Sequence, residues 1–204
     1  MIVIKNFLSN EDVQTVYEYA KSSNFHTKEN HPPLHDNLFS QDSINFHIRT
    51  RGEFSDEILE IFSKYSRRFY ETIAESNKDL EYLPPMFSKH YIAKYVSGFG
   101  ELPLTDTNRP AKTLVGYVVW NNNYNGGKLV SVNAKTQEES EINYSPGDLV
   151  IFEEGNLEDM RKITTVSDGT MYLSQAWMGL KGQSWFPSVD YDKVEWDSWE
   201  IRGF

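Results

Sequence analysis

The chain contains no cysteine. Disulfides, zinc–thiolate sites and thiol nucleophiles are therefore excluded, and nothing ties the fold to an oxidising compartment. Histidine is sparse: His26, His31, His35, His47 and His90 are the only five, so none follows residue 90. Positive charge is also short, with 20 Lys and Arg against 30 Asp and Glu and a formal net charge of −10. A phosphate-backbone binder needs clustered Lys and Arg, so no nucleic-acid partner is expected. No apolar run approaches a membrane span, so no membrane is expected either. The opening "MIVIKNFLSNED" lacks the charged, apolar, small-residue order of a secretory signal, which predicts a cytoplasmic protein. There is no G-x-S-x-G and no internal repeat or low-complexity tract.

What is present suits a single domain, 1–204, of 204 residues with 39% hydrophobic content, enough to bury a substantial core. "MIVIKNF" reads as a short strand. Ser9 followed by "NEDVQTVYEYA" reads as an N-cap with an acidic first turn, predicting a helix near 10–22. Residues 24–43 hold three histidines, two prolines and no periodicity, which predicts a loop or lid. Prolines between His31 and His35 prevent the helical turn that would bring the two rings together beside Asp36, so this segment reads as exposed loop rather than metal site. "INFHIRT" is a strand candidate. Beyond it, Ile58, Phe62, Tyr65, Phe69 and Ile73 fall at spacings of three and four, the stripe of an amphipathic helix.

After residue 85 the texture changes to short apolar runs separated by Gly, Asn, Pro or Asp, including "MFSKHYIAKYV", which holds His90, and "TLVGYVVW", "DLVIFE" and "MYLSQAW". About seven strands at this spacing predict an antiparallel barrel or sandwich. The expected architecture is α+β: a jelly roll, or double-stranded β-helix, over 86–180, with helical support and a lid loop over 1–85. An aromatic strap over 181–204 completes it. "NNNYNGG" reads as a hairpin turn, because Asn and Gly tolerate positive φ and no helix follows to cradle a phosphate. Glu138/Glu139 and Glu153/Glu154 read as turn residues.

Four segments carry a family resemblance. Tyr95-x-x-Gly98 leads through "FGELPLTD" to Asp106; "WNNNYNGGKL", "INYSPGDLVIF" and "RKITTVSDGTMYLSQAW" follow in order. Together they resemble the 2-oxoglutarate- and iron-dependent dioxygenases, specifically their prolyl 4-hydroxylase-like branch. The resemblance implies an iron site of two imidazoles and one carboxylate, with a basic side chain for the distal carboxylate of 2-oxoglutarate. Carried over residue by residue, the first histidine falls on Leu104, the carboxylate on Asp106, the second histidine on Arg161 and the basic partner on Met171. With no histidine after residue 90, no shift of register supplies the second imidazole.

A lone carboxylate holds iron poorly, so Asp106 reads as a turn residue that caps its own loop. Arg161 has two readings. Either it points into the former metal pocket and pairs with Asp106, or it is a surface arginine of "EDMRK". Met171 and Leu104 read as apolar packing.

The expectation is a catalytically inactive dioxygenase-like protein, without cofactor, reused as a binding or structural module with a protein partner or a second copy of itself. The acidic, Asn-rich chain also resembles copies of this family carried by bacterial viruses, which implies a virion context. One alternative is an active hydroxylase of peptide side chains that uses Fe(II) and 2-oxoglutarate, with iron held by Asp106 and loop histidines. Another is a small-molecule binder whose emptied pocket is lined by Tyr95, Leu104, Tyr117 and Met171. The tail residues Trp185, Phe186, Tyr191, Trp196 and Trp199 read as a strap over a barrel edge or as an interface.

Overall fold

The computed structural model describes residues 1–27, 30, 47–82, 91–104 and 112–180, without the side chains of 51 and 102–104. His31, His35, Asp36, His90, Asp106 and the aromatic tail lie outside the described residues.

Strand β1 (Ile2–Ile4) leads into helix α1 (Asn10–Ser22). The Ser9 hydroxyl accepts the Asp12 N–H at 3.1 Å, and Glu11 and Asp12 place negative charge on the first turn. Strand β2 (His47–Thr50) and a short 3₁₀ turn precede helix α2 (Asp56–Ser76). The stripe of Ile58, Phe62, Tyr65, Phe69 and Ile73 is buried along one side of α2. Ten further strands follow: β3 (Tyr91–Val96), β4 (Glu101–Leu104), β5 (Leu114–Val119), β6 (Asn125–Gly126), β7 (Leu129–Val132), β8 (Glu139–Glu141), β9 (Leu149–Glu153), β10 (Met160–Ile163), β11 (Val166–Asp168) and β12 (Thr170–Met178).

The large sheet runs β1-β9-β5-β12-β3-β2, the second β4-β10-β7-β8, and β6 pairs with β11. Strands β3, β5, β9 and β12 lie in one sheet while β4, β7, β8 and β10 lie in the other. Chain order therefore passes repeatedly between the sheets, and every pairing is antiparallel. This is a double-stranded β-helix. Strand β4 was not legible as a strand in "GELPL". The expected hairpin at "NNNYNGG" is corrected: β5 and β7 belong to different sheets, and the segment carries the chain between them.

Strand β5 is buried on both faces, and its parity separates two cores. Val115, Tyr117 and Val119 join Tyr95, Phe152, Leu129 and Ile163 between the sheets. Leu114 and Val118 join Ile92, Leu149 and Ala176 beneath Phe62, Tyr65 and Phe69 of the long helix. Gly116 permits this close docking. A Cβ there would stand 3.0 Å from the Phe69 ring and 2.8 Å from Leu149, and the Tyr65 hydroxyl donates to the Gly116 carbonyl at 2.9 Å.

The N-terminal strand is anchored by Asp148. Its carboxylate accepts the N–H of Asn6 at 2.8 Å and of Ser145 at 2.7 Å, and meets Lys5 Nζ at 3.0 Å. Burial alone would raise the Asp148 pKa, but these bonds outweigh it and hold the carboxyl below its ordinary 3.8. A depressed pKa favours the folded state above the unfolded value, and that stability is lost as pH falls through the folded value. Asp148→Asn should therefore cost about 1–3 kcal/mol near neutrality. It should also flatten the loss of stability below pH 3.8, as read by urea unfolding across that range.

Candidate functional site

The centre of the barrel is polar, and period-2 alternation puts its side chains there. Tyr91 and Tyr95 come from β3, Glu101 from β4, Tyr117 from β5 and Arg161 from β10. Gln175 and Trp177 come from β12, while Glu154 follows directly on β9. Arg161 lies opposite Leu104 in the β4–β10 pairing, so the two positions assigned to the missing imidazoles are cross-strand neighbours.

Arg161 is 5% exposed, which overturns its reading as a surface residue. Its Nη1 donates to Glu154, whose side chain is fully buried, and its guanidinium lies 5.3 Å from the centre of the Trp177 ring. Glu154, read from sequence as a turn residue, is thus its carboxylate partner among the described residues. Desolvation works against the charge on Arg161, but Tyr117, Glu154 and Glu101 outweigh it, and its pKa is raised. Arg161 Nε–H is buried with no hydrogen-bond partner among the described residues.

Around this pair the hydroxyls are paired in turn. Tyr95 donates to Glu101 Oε1 at 2.5 Å, and Gln175 Nε2 donates to the Tyr91 hydroxyl. Glu101 is partly exposed as a residue, but its carboxylate is desolvated where it meets Tyr95. Desolvation raises its pKa against the opposing pull of Tyr95 and Arg161. Burial likewise raises the pKa values of Tyr91, Tyr95 and Tyr117. All three are neutral at physiological pH, and Tyr91 and Tyr95 act as hydrogen-bonding groups.

The structure brings Tyr95, Tyr117 and Arg161 into this core. Met171 is fully buried in the same inter-sheet core, opposite Tyr95 in the β3–β12 pairing, and its sulfur would meet a Cβ on Gly127 at 3.1 Å. The sequence reading missed Tyr91, Glu101, Glu154, Gln175 and Trp177. One signal was available: Tyr91 and Tyr95 are four apart in a strand and must share a face. Glu154 carried no comparable signal, because only the fold brings it to Arg161.

Among the described residues, no group of three or more His, Asp or Glu side chains could hold a metal ion. At the register-paired positions 104 and 161 stand a leucine and a guanidinium, neither of which is an iron donor. The other candidate donors of the sequence reading, Asp106 and the loop histidines His31 and His35, lie outside the described residues. A carboxylate ligand such as 2-oxoglutarate is a different case, since a guanidinium suits a carboxylate.

No protein-family model matches the chain, and no curated protein matches it by sequence. Its structure does have relatives. A prolyl hydroxylase from Trichoplax adhaerens, in complex with a hypoxia inducible factor oxygen degradation domain peptide, aligns with a TM-score of 0.63 at 18% identity. That alignment covers 87% of this chain and 82% of the other. A Pseudomonas putida prolyl-4-hydroxylase aligns at 0.60 with 14% identity, over 86% and 90%. The viral collagen prolyl hydroxylase of Paramecium Bursaria Chlorella virus-1, as its 2-oxoglutarate complex, aligns at 0.58 with 14% identity, over 87% and 94%.

These neighbours correct one expectation. The sequence reading called for no cofactor, whereas the structures that share the fold are those of 2-oxoglutarate- and Fe(II)-dependent oxygenases, which points to that pair. Among the described residues no helix is long and apolar enough to cross a membrane. The chain has the jelly-roll fold of the prolyl hydroxylases and other 2-oxoglutarate- and iron-dependent oxygenases.

Proposed function

We propose that this is an oxygenase-fold protein that does not hydroxylate, and that its barrel serves as a rigid binding module. The observation that carries the reading is the buried Arg161–Glu154 pair, placed opposite Leu104. Oxygen activation in this fold needs an iron with open positions on one face. In the residue-by-residue resemblance, a guanidinium falls where an imidazole would be required. Its positive charge is already neutralised by Glu154 and flanked by Trp177. Such a centre stabilises a fixed arrangement of strands and supplies no redox chemistry. The proposal concerns the reaction and not the binding of the two cofactors, to which the structural neighbours point.

The test is turnover of 2-oxoglutarate. Purified protein is supplied with Fe(II), ascorbate, oxygen and 2-oxoglutarate, and succinate is measured against a no-protein control. No succinate above the control is expected. Repeated turnover per protein molecule overturns the proposal.

A further inference from the structure

A second site lies away from the Arg161 network, between the segment that leaves β5 and the segment that follows β8. It is a cleft of about 280 Å³, bounded by Asn122 and Tyr124 on one side and by Ile142, Asn143 and Tyr144 on the other. Lys128 and Glu141 also border it, and they pair with each other at 2.9 Å. The cleft is thus locally neutral on a chain whose net charge is −10.

Its hydrogen-bonding groups fall into two sets. Asn121, which lines the cleft, and the adjacent Asn123 are consumed by the fold. Asn121 donates to Asn123 Oδ1 and to the Thr170 carbonyl, and accepts the Tyr172 N–H, while Asn123 donates to the Tyr17 hydroxyl at 2.8 Å. The exposed amides of Asn122 and Asn143 make no side-chain hydrogen bond among the described residues. The Tyr124 and Tyr144 hydroxyls meet only at 3.4 Å, and Tyr144 reaches the Gly127 carbonyl at the same length. Both therefore keep hydrogen-bonding capacity.

The wall is also held rigidly. Gly126 has a φ of +73°, and a Cβ there would stand 2.1 Å from the Thr165 carbonyl oxygen. Only glycine fits, and this close approach fixes the segment against the β10–β11 turn. A Cβ on Gly127 would come within 3.0 Å of the Tyr124 ring, so the tyrosine is packed directly on its own backbone.

We propose that this cleft binds a neutral, polyhydroxylated ring, namely a single sugar unit. Lys128 and Glu141 neutralise each other, so the cleft offers neither an anion nor a cation a net opposite charge, whereas a neutral ligand leaves the pair intact. A purely apolar ligand would leave two amides and two hydroxyls desolvated without partners. A sugar ring presents carbon to Tyr124, Tyr144 and Ile142 and hydroxyls to Asn122 and Asn143, the division of labour seen in small-molecule sites.

The test uses saturation-transfer NMR on the whole protein. The probes are the methyl pyranosides of glucose, galactose, mannose and N-acetylglucosamine, each at about 10 mM, a concentration that detects millimolar affinity. Transfer to the ring protons of at least one glycoside is expected. Asn122→Ala should weaken it at least about fivefold, the effect of one lost hydrogen bond, with an unchanged thermal midpoint because Asn122 is exposed and its side chain makes no hydrogen bond among the described residues. Asn143→Ala should act in the same direction. Absence of transfer to all four glycosides overturns the proposal, as does transfer unchanged in both variants. Transfer to adenosine but to no glycoside overturns it in favour of a planar heterocycle.

Discussion

Arg161→Ala is expected to cost about 3–5 kcal/mol of folding stability, because it leaves a buried carboxylate without its partner. The Glu154 side chain is fully buried, and the loss of the guanidinium would strand its charge in the low-dielectric barrel. Packing would suffer as well, since the arginine lies over Trp177. Arg161→Lys should recover only part of the loss: an ammonium lacks the planar fork that meets the carboxylate while lying flat on an indole. Urea unfolding of the three proteins at neutral pH measures this. A loss below about 1 kcal/mol for the alanine variant would mean that the pair is solvated, as surface ion pairs are.

Phe62→Ala is expected to cost a similar amount, about 3–5 kcal/mol, by a different mechanism. Phe62 is fully buried at the junction of α2 with the large sheet. Its ring lies 5.0 Å from Phe54, 5.7 Å from Trp120 and 6.2 Å from Tyr65. Truncation removes the aromatic contacts and leaves a cavity that a helix docked on a sheet closes only partly. The denaturation midpoint should fall while the barrel core between the sheets stays unaltered. Phe62→Leu, which keeps most of the volume, should lose markedly less. Equal losses for alanine and leucine would assign the cost to the lost ring contacts rather than to the cavity.

The two predictions probe parts of the fold that differed in legibility. The α2 stripe was readable because amphipathic periodicity is a local signal, and Phe62, Tyr65 and Phe69 are buried where their spacing put them. Most jelly-roll strands were readable for the same reason, as apolar runs between turn residues. Strand β4 was not, since "GELPL" has a proline and too few apolar residues to declare itself. The "NNNYNGG" segment misled because its residues suit a hairpin, whereas sheet membership is decided by long-range pairing that no local signal encodes.

For the barrel, the sequence showed that no histidine follows residue 90, which is a matter of counting. It did not reveal the partner of Arg161. Glu153 and Glu154 are chemically identical and adjacent in sequence, yet strand alternation turns Glu153 towards Lys112 and Glu154 towards Arg161. The cofactor expectation failed for a related reason. It was drawn from four positions alone, while the fold that those positions sit in is shared with oxygenases that use iron and 2-oxoglutarate.

At the centre of the barrel a guanidinium and a carboxylate are buried together and depend on each other. A double-mutant cycle with Arg161→Met and Glu154→Leu measures that dependence directly. Each single variant strands one buried charge, whereas the double variant buries two apolar side chains of similar size. The double variant is therefore predicted to be more stable than either single one, with an interaction energy of about 2–3 kcal/mol by chemical denaturation. Losses that simply add would show that Arg161 and Glu154 do not pair at the centre of the barrel, and would contradict the account.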